Sequence, residues 1–296
     1  MIVHDVPRTT RIIREVSAPL TVLFVWDVAV TLAYYYLPFK APSLPLALFG
    51  TVLGLVLGFR VNSAYERWWE GRKLWGSMVN ASRNIARMAI AFIPDRDPQA
   101  VDLQRSIVLR QIAYVHALRT QLRRQDRAPD VLRLISAEEA EAPLKAANTA
   151  NMLLNGNGKR IDEARARGLI DSIQQNRMEA VLVDIANAQG GMERIKNTPL
   201  PMQYRFFPTF FARLFCILLP IGLVETLGFA TPAGSTLAGL MFLAVLQIGD
   251  DLVDPFANTV HDLPLTALCR TIEIDLLQGI GDPAPEPLQP EKGVLW

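Results

Sequence analysis

Hydrophobic positions gather in two bursts separated by a long mixed stretch. Four apolar segments stand out, at about 18–37, 44–59, 206–229 and 235–248. A bilayer core asks for roughly 20 apolar residues per helix, with a range of about 17–25. The first and third segments meet that alone. The second and fourth meet it only if their helices continue past Arg60 and Asp250, with those charges turned to water or protein. Short links at 38–43 and 230–234 join the segments into two pairs, which predicts two membrane hairpins and four spans.

Between the pairs the pattern changes. At 100–125, Leu103, Ile107, Ile112, Val115, Leu118 and Leu122 recur mostly at steps of three and four. That spacing predicts an amphipathic helix, with Arg105, Arg110, Arg119, Arg123 and Arg124 on its other faces. A second helix is expected over 137–154, stopped by the NGNG run at 155–158. A third is expected over 161–188, stopped by Gly190 and Gly191. Strand-like alternation is absent, so the expected class is all-α. The Pro-rich tail reads as extended or disordered. The organisation expected is an N-terminal arm (1–17), a first hairpin (18–75), a helical region (76–200), a second hairpin (201–249), a C-terminal segment (250–280) and the tail (281–296).

Charge orients this plan. The arm carries Arg8, Arg11 and Arg14, and the stretch after the second segment carries Arg60, Arg67, Arg72 and Lys73. The two short links hold only Lys40. The bias places both termini and the middle region in the cytoplasm, here beneath an inner membrane crossed several times. Tyr34, Tyr35 and Tyr36 read as an aromatic belt at the opposite interface. Half of the residues are hydrophobic and 20% are charged, the mixture of a membrane protein with a sizeable water-facing part. The net charge of +1 gives no electrostatic case for nucleic acid. No signal-peptide apolar core precedes the first charges.

Chemistry-bearing motifs are few. His4, His116 and His261 are scattered, and Cys216 and Cys269 lack metal-ligand or CxxC spacing. No nucleophile elbow, phosphate loop, dinucleotide fingerprint or zinc-protease helix occurs. An enzyme, a cofactor and a metal site are therefore not expected. Two charges interrupt apolar segments, Asp27 and Glu225, and each should face protein, water or a partner. Glu225, near the predicted outer end, is a candidate for enriching cations in a vestibule.

The stretch from Leu48 to Gly76 passes from an apolar run into a charged and aromatic one with no break. Gly50, Gly54 and Gly58 form one stripe at steps of four, open to close approach by a neighbouring helix. Thr51, Leu55 and Phe59 form the next stripe, which spacing alone leaves as lipid-facing, core or lumen-facing. Gly58 and Phe59 followed by Arg67, Trp68 and Trp69 resemble the bestrophin family in its bacterial branch. So do GGMERIKNTPLP before the third segment, Asp254-Pro255-Phe256, and Asp262-Leu263-Pro264-Leu265. These matches lie in the same order as in the family and cover about residues 5–277.

The resemblance implies a homopentameric channel for monovalent ions, chloride or sodium, held in membrane lipid. It places Thr51, Leu55 and Phe59 in a narrow neck. Rings of Leu55 and Phe59 offer an ion no ligand and would gate by dewetting, while the Thr51 hydroxyl would ease wetting of the outer ring. A lower, cytosolic aperture is implied among Leu169, Ile170 and Ile173, with Ile170 first. Arg60 and Asn62 lie just below the neck, where Arg60 would favour anions if it pointed inward, or else pair with a carboxylate. Arg67, Trp68 and Trp69 read as structural anchors at the junction of membrane and cytosolic parts. Eukaryotic members carry an acidic calcium-binding run where this chain has 257–262, with Asp262 as its one carboxylate. Calcium-independent conduction follows, with Asp250, Asp251 and Asp254 expected to cap or pair with arginines. A membrane scaffold or sensor whose cytosolic helices bind a partner is the alternative from a different class.

Overall fold

In the computed structural model, residues 1–2, 9–38, 40–95 and 97–296 are described, the side chains of 9–16 excepted. His4 and Arg8 lie outside the described residues, as do the side chains of Arg11 and Arg14. Among the described residues ten α-helices follow in order: α1 (Thr9–Tyr36), α2 (Leu46–Phe92), α3 (Pro98–Leu122), α4 (Ala128–Leu132), α5 (Ala137–Lys145), α6 (Thr149–Ala166), α7 (Ser172–Asn197), α8 (Met202–Leu227), α9 (Thr231–Leu252) and α10 (Leu265–Gly279). Among the described residues there is no β-strand, only isolated bridges.

The chain divides into two compact units. One comprises Asp5–Arg67 and Pro199–Val253, and the other Met1–His4, Trp68–Thr198 and Asp254–Trp296. Helix α2 runs for 47 residues and contributes to both.

The first unit holds the apolar helices. Among the described residues three stretches are long and apolar enough to cross a membrane: Ser17–Tyr36, Leu46–Phe92 and Met202–Leu252. The last contains two helices, α8 and α9, separated by the 3-10 turn Gly228–Ala230, where Gly228 takes φ +55. The break therefore comes earlier than the expected link at 230–234, which α9 largely absorbs. The small core joins Leu53 and Leu57 of α2 to Ala212, Phe215 and Leu219 of α8 and to Leu246 of α9. Helix α1 packs on α8 and α9. Its buried Asp27 accepts hydrogen bonds from Ser235 (3.1 Å) and Thr236 (2.7 Å) of α9. Trp26 donates to the Ile217 carbonyl at 3.0 Å. Cys216 is buried and free.

The second unit is built around α3, which differs from the amphipathic helix expected there. The six predicted apolar positions are all buried, but so are Arg110, Gln111, Tyr114, His116 and Thr120. A helix buried nearly all round is central rather than peripheral. Arg110, expected on an outer face, pairs with Glu139 and lies across Gly156. That contact explains why NGNG does not stop a helix. Gly156 lets the Arg110 guanidinium cross closely, and buried Asn157 donates to Gln111 at 3.2 Å. The break falls instead after Pro143, where Asn148 caps α6 through the N–H of Asn151 at 2.9 Å.

Gly190 and Gly191 likewise lie inside α7, not at its end. A Cβ on Gly191 would sit 2.9 Å from both methyls of Leu74, so the glycine marks a tight helix crossing. The true break upstream uses Gly168 (φ +68) and a capping box between Asp171 and Gln174. The tail is extended and pinned, the first of its two expected states. Ala267 donates to the Trp296 carbonyl at 2.7 Å, and Arg105 pairs with Asp282 at 2.5 Å.

Candidate functional site

Helix α2 has two opposite faces within the first unit. Leu53, Leu57, Arg60 and Ala64, at steps of three and four, are all buried, from 0% to 4% exposed. Positions 51, 55 and 59 are offset from 53 and 57 by two residues, about 200° around a helix. Leu55 is 60% exposed and Phe59 61%, with Thr51 exposed above them. The Thr51 hydroxyl donates to the Ala47 carbonyl one turn back at 2.8 Å, which leaves its oxygen able to accept. Of the glycine stripe, only Gly50 has a close neighbour in the chain, Phe215 at 3.3 Å from a notional Cβ. Gly54 and Gly58 face open space.

Arg60 does not share the exposed face. It is 2% exposed, ion-paired with Asp250, and donates to the Thr209 hydroxyl at 3.1 Å. An arginine with its charge spent on α9 and its fork held by α8 cannot also supply a free cation to the opposite face. Its inward-pointing reading is corrected, and the carboxylate pairing stands. Asn62 is exposed and donates to Glu66 at 2.8 Å, one turn on. Glu225 is exposed near the end of α8.

The junction residues are anchors within their own units. Arg67 donates to the Val253 carbonyl at 2.8 Å. Trp68 donates to the His261 carbonyl at 3.2 Å and stacks near the half-exposed Trp69. The aspartates differ from one another. Asp251 accepts from Gln247 at 2.9 Å. Asp254 pairs with Lys196 at 2.7 Å and accepts the Phe256 N–H at 3.1 Å. In the 257–262 loop, buried Asp262 accepts both the N–H and the hydroxyl of Thr259 at 2.8 Å. Burial pushes its carboxyl above the usual range, and these hydrogen bonds oppose the shift.

The aperture candidates separate. Ile170 is 3% exposed and belongs to the second unit's core, against which Leu169 also packs. Ile173, by contrast, is 71% exposed in the first turn of α7.

Two features went unread in the sequence. Glu273 on α10 is fully buried against His116 (2.9 Å) and Arg133 (2.5 and 3.2 Å), with Arg270 at 3.6 Å. Nothing in local spacing links residues 116, 133 and 273. Arg213 stands in an apolar helix, the signal that flagged Asp27 and Glu225, and it lines a cavity of about 580 Å³.

An all-α chain with long apolar helices, one of them apolar on the face turned from its own core, describes a membrane protein that assembles with something else. Residues 6–278 match the model of the bacterial and fungal bestrophin proteins, and the chain belongs to that family, which comprises ion channels and not enzymes. It is 38% identical over 248 residues to a voltage-dependent anion channel-forming protein of Mesorhizobium japonicum, covering 84% of this chain and 78% of that one. It is 34% identical over 270 residues to the voltage-dependent anion channel-forming protein YneE of Escherichia coli K12, covering 90% and 87%. A crystal structure of a bacterial bestrophin homologue from Klebsiella pneumoniae superposes with a TM-score of 0.84 at 32% identity, over 89% of this chain and 97% of that one.

Proposed function

We propose that this chain is one subunit of a homopentameric channel that passively conducts small monovalent ions through a hydrophobic neck. The observation that carries the reading is the apolar face Leu55/Phe59, exposed opposite the buried face of the same helix. Copies of that face brought around one axis would form apolar rings at 55 and 59, below a ring at 51. The open glycines Gly54 and Gly58 suit close approach by a neighbouring copy. The four apolar segments are read as four spans of an inner membrane, and the charge bias puts both termini in the cytoplasm. The names of the relatives favour anions, so chloride is the first ion to test, with sodium as its competitor. Ile173 takes the place of Ile170 at the cytosolic aperture.

Calcium independence is part of the proposal. Asp262 is occupied by Thr259, and Lys196 already supplies a cation to Asp254. Calcium coordination wants six to eight oxygens with several carboxylates.

Purified protein in liposomes, recorded in asymmetric sodium chloride, tests conduction and ion sign together. Absence of flux ends the channel reading, and a reversal potential at the sodium limit ends the chloride assignment. A steep rise in current with micromolar calcium ends the calcium-independent part. Glu225→Gln should shift the reversal potential toward the anion limit, because five fewer carboxylates would enrich cations less at the outer mouth. An unchanged reversal potential removes Glu225 from the permeation path.

A further inference from the structure

Helices α1, α8 and α9 of the first unit enclose a cavity of about 580 Å³ whose wall changes character along its length. Read along α8, it passes from Thr209 and Arg213 to Cys216 and Ile217. Helix α9, running in the opposite sense, passes from Leu243 and Leu246 to Gln247 and Asp250, and α1 adds Val22 and Leu23 at the apolar end. Helices α8 and α9 thus place polar groups at the same end and hydrocarbon at the other, and α1 contributes only apolar side chains. Thr209 and Asp250 also border a second cavity of about 580 Å³ that Arg205 lines.

Arg205, Thr209 and Arg213 recur at steps of four, so they share one stripe of α8. Among the described residues neither Arg205 nor Arg213 makes a hydrogen bond or an ion pair with its side chain. Their carboxylate neighbour, Asp250, is already paired with Arg60. Three guanidiniums, those of Arg60, Arg205 and Arg213, stand against two carboxylates, Asp250 and Asp251, which leaves net positive charge on the wall of an apolar groove. A guanidinium is the side chain best shaped to grip a phosphate through two parallel N–H donors. Basic pockets between membrane helices on the cytoplasmic side suit anionic headgroups, and the charge bias assigns this end of α8 to that side.

We infer that the groove between α1, α8 and α9 binds one anionic glycerophospholipid, its phosphate held by Arg213 in the field of Arg205 and an acyl chain lying along Val22, Leu23, Ile217 and Leu243. The occupant is a lipid rather than free phosphate because half the cavity is hydrocarbon-lined and offers an inorganic ion nothing. It is a lipid rather than a carboxylate of a neighbouring copy because a short acidic side chain leaves the apolar end unfilled. The inference rests on the membrane-protein reading but not on conduction.

Native mass spectrometry of the delipidated oligomer, titrated with phosphatidylglycerol or phosphatidylcholine, tests it. Phosphatidylglycerol should bind more tightly than phosphatidylcholine, and millimolar inorganic phosphate should not displace it. Arg213→Gln should weaken phosphatidylglycerol binding about tenfold, the scale of one charge-assisted contact, with the oligomer intact. Val22→Trp, which keeps both arginines and fills the apolar end, should weaken it as well and remains informative if Arg213→Gln does not fold. Wild-type affinity in either variant overturns the inference, as does equal binding of the two lipids or displacement by phosphate. Dissociation of the Arg213→Gln oligomer into folded monomers assigns the arginine to a neighbouring copy and overturns it too. The readout is mass, so lost lipid with intact ion flux refutes the lipid site alone, and retained lipid without flux refutes only the channel.

Discussion

Replacing Leu55 and Phe59 together by serine raises ion flux through liposome-reconstituted protein by about tenfold or more, equivalent to at least ~1.4 kcal/mol off the permeation barrier. In a ring of apolar side chains the barrier is the free energy of holding water and a partly hydrated ion where no group replaces the lost hydration. Serine shortens the side chains and adds hydroxyls, so the constriction widens and wets in one step. Both residues are about 60% exposed and contribute little to the core of the subunit, so the variant should unfold within about 0.5 kcal/mol of wild type. Leu57→Ala is the control from the other face. Leu57 is 1% exposed and packs with Phe215 and Leu219, so its truncation should cost about 2–5 kcal/mol and leave flux per folded oligomer near wild type. If the serine variant conducts as wild type, the 51/55/59 face does not line the pathway.

Spacing along one helix was enough to put 51, 55 and 59 on a single stripe, whereas the direction that stripe faces came from the family resemblance. The lengths of the apolar segments were likewise readable along the chain, and so was the need for the second helix to continue past Arg60. What could not be read were contacts made at a distance. Arg60 meets a carboxylate 190 positions away, and sequence alone left open whether its charge faced a lumen or a partner. The NGNG and Gly190–Gly191 runs look like helix stops because glycine near a helix end usually is one. Here the absent side chains admit Arg110 and Leu74, and only the tertiary crossing reveals it. The burial of Ile170 lay beyond the same limit. Upstream of the α7 cap the chain turns through Gly168, and Ile170 ends up in the core while Ile173 points out.

Removing the carboxylate of Glu273 should destabilise the protein more than any single change on the exposed face of α2. Glu273 brings together α3, through His116, and the segment after α4, through Arg133, at the surface of α10. Burial by itself would raise its pKa, but the hydrogen bonds and charges of His116 and Arg133 prevail and bring it down to about 2. An acid whose folded value lies below its unfolded value of 4.5 stabilises the fold fully above the unfolded value. It loses that contribution as the pH falls toward 2. The difference corresponds to roughly 3 kcal/mol at neutral pH. Glu273→Ala goes further, because it leaves buried His116 without its partner and a cavity behind, and breaking a buried pair from one side typically costs about 3–5 kcal/mol. Glu273→Gln keeps the shape and should lose the charge-dependent part alone. Thermal unfolding in detergent, followed over about two pH units either side of the unfolded carboxylate value, separates the two contributions. Wild type should lose stability steeply below about pH 4.5, whereas Glu273→Gln should start lower and fall less. Parallel curves for the two proteins would mean that Glu273 is not the group whose protonation unpins α10, and the acid sensitivity would have to reside elsewhere.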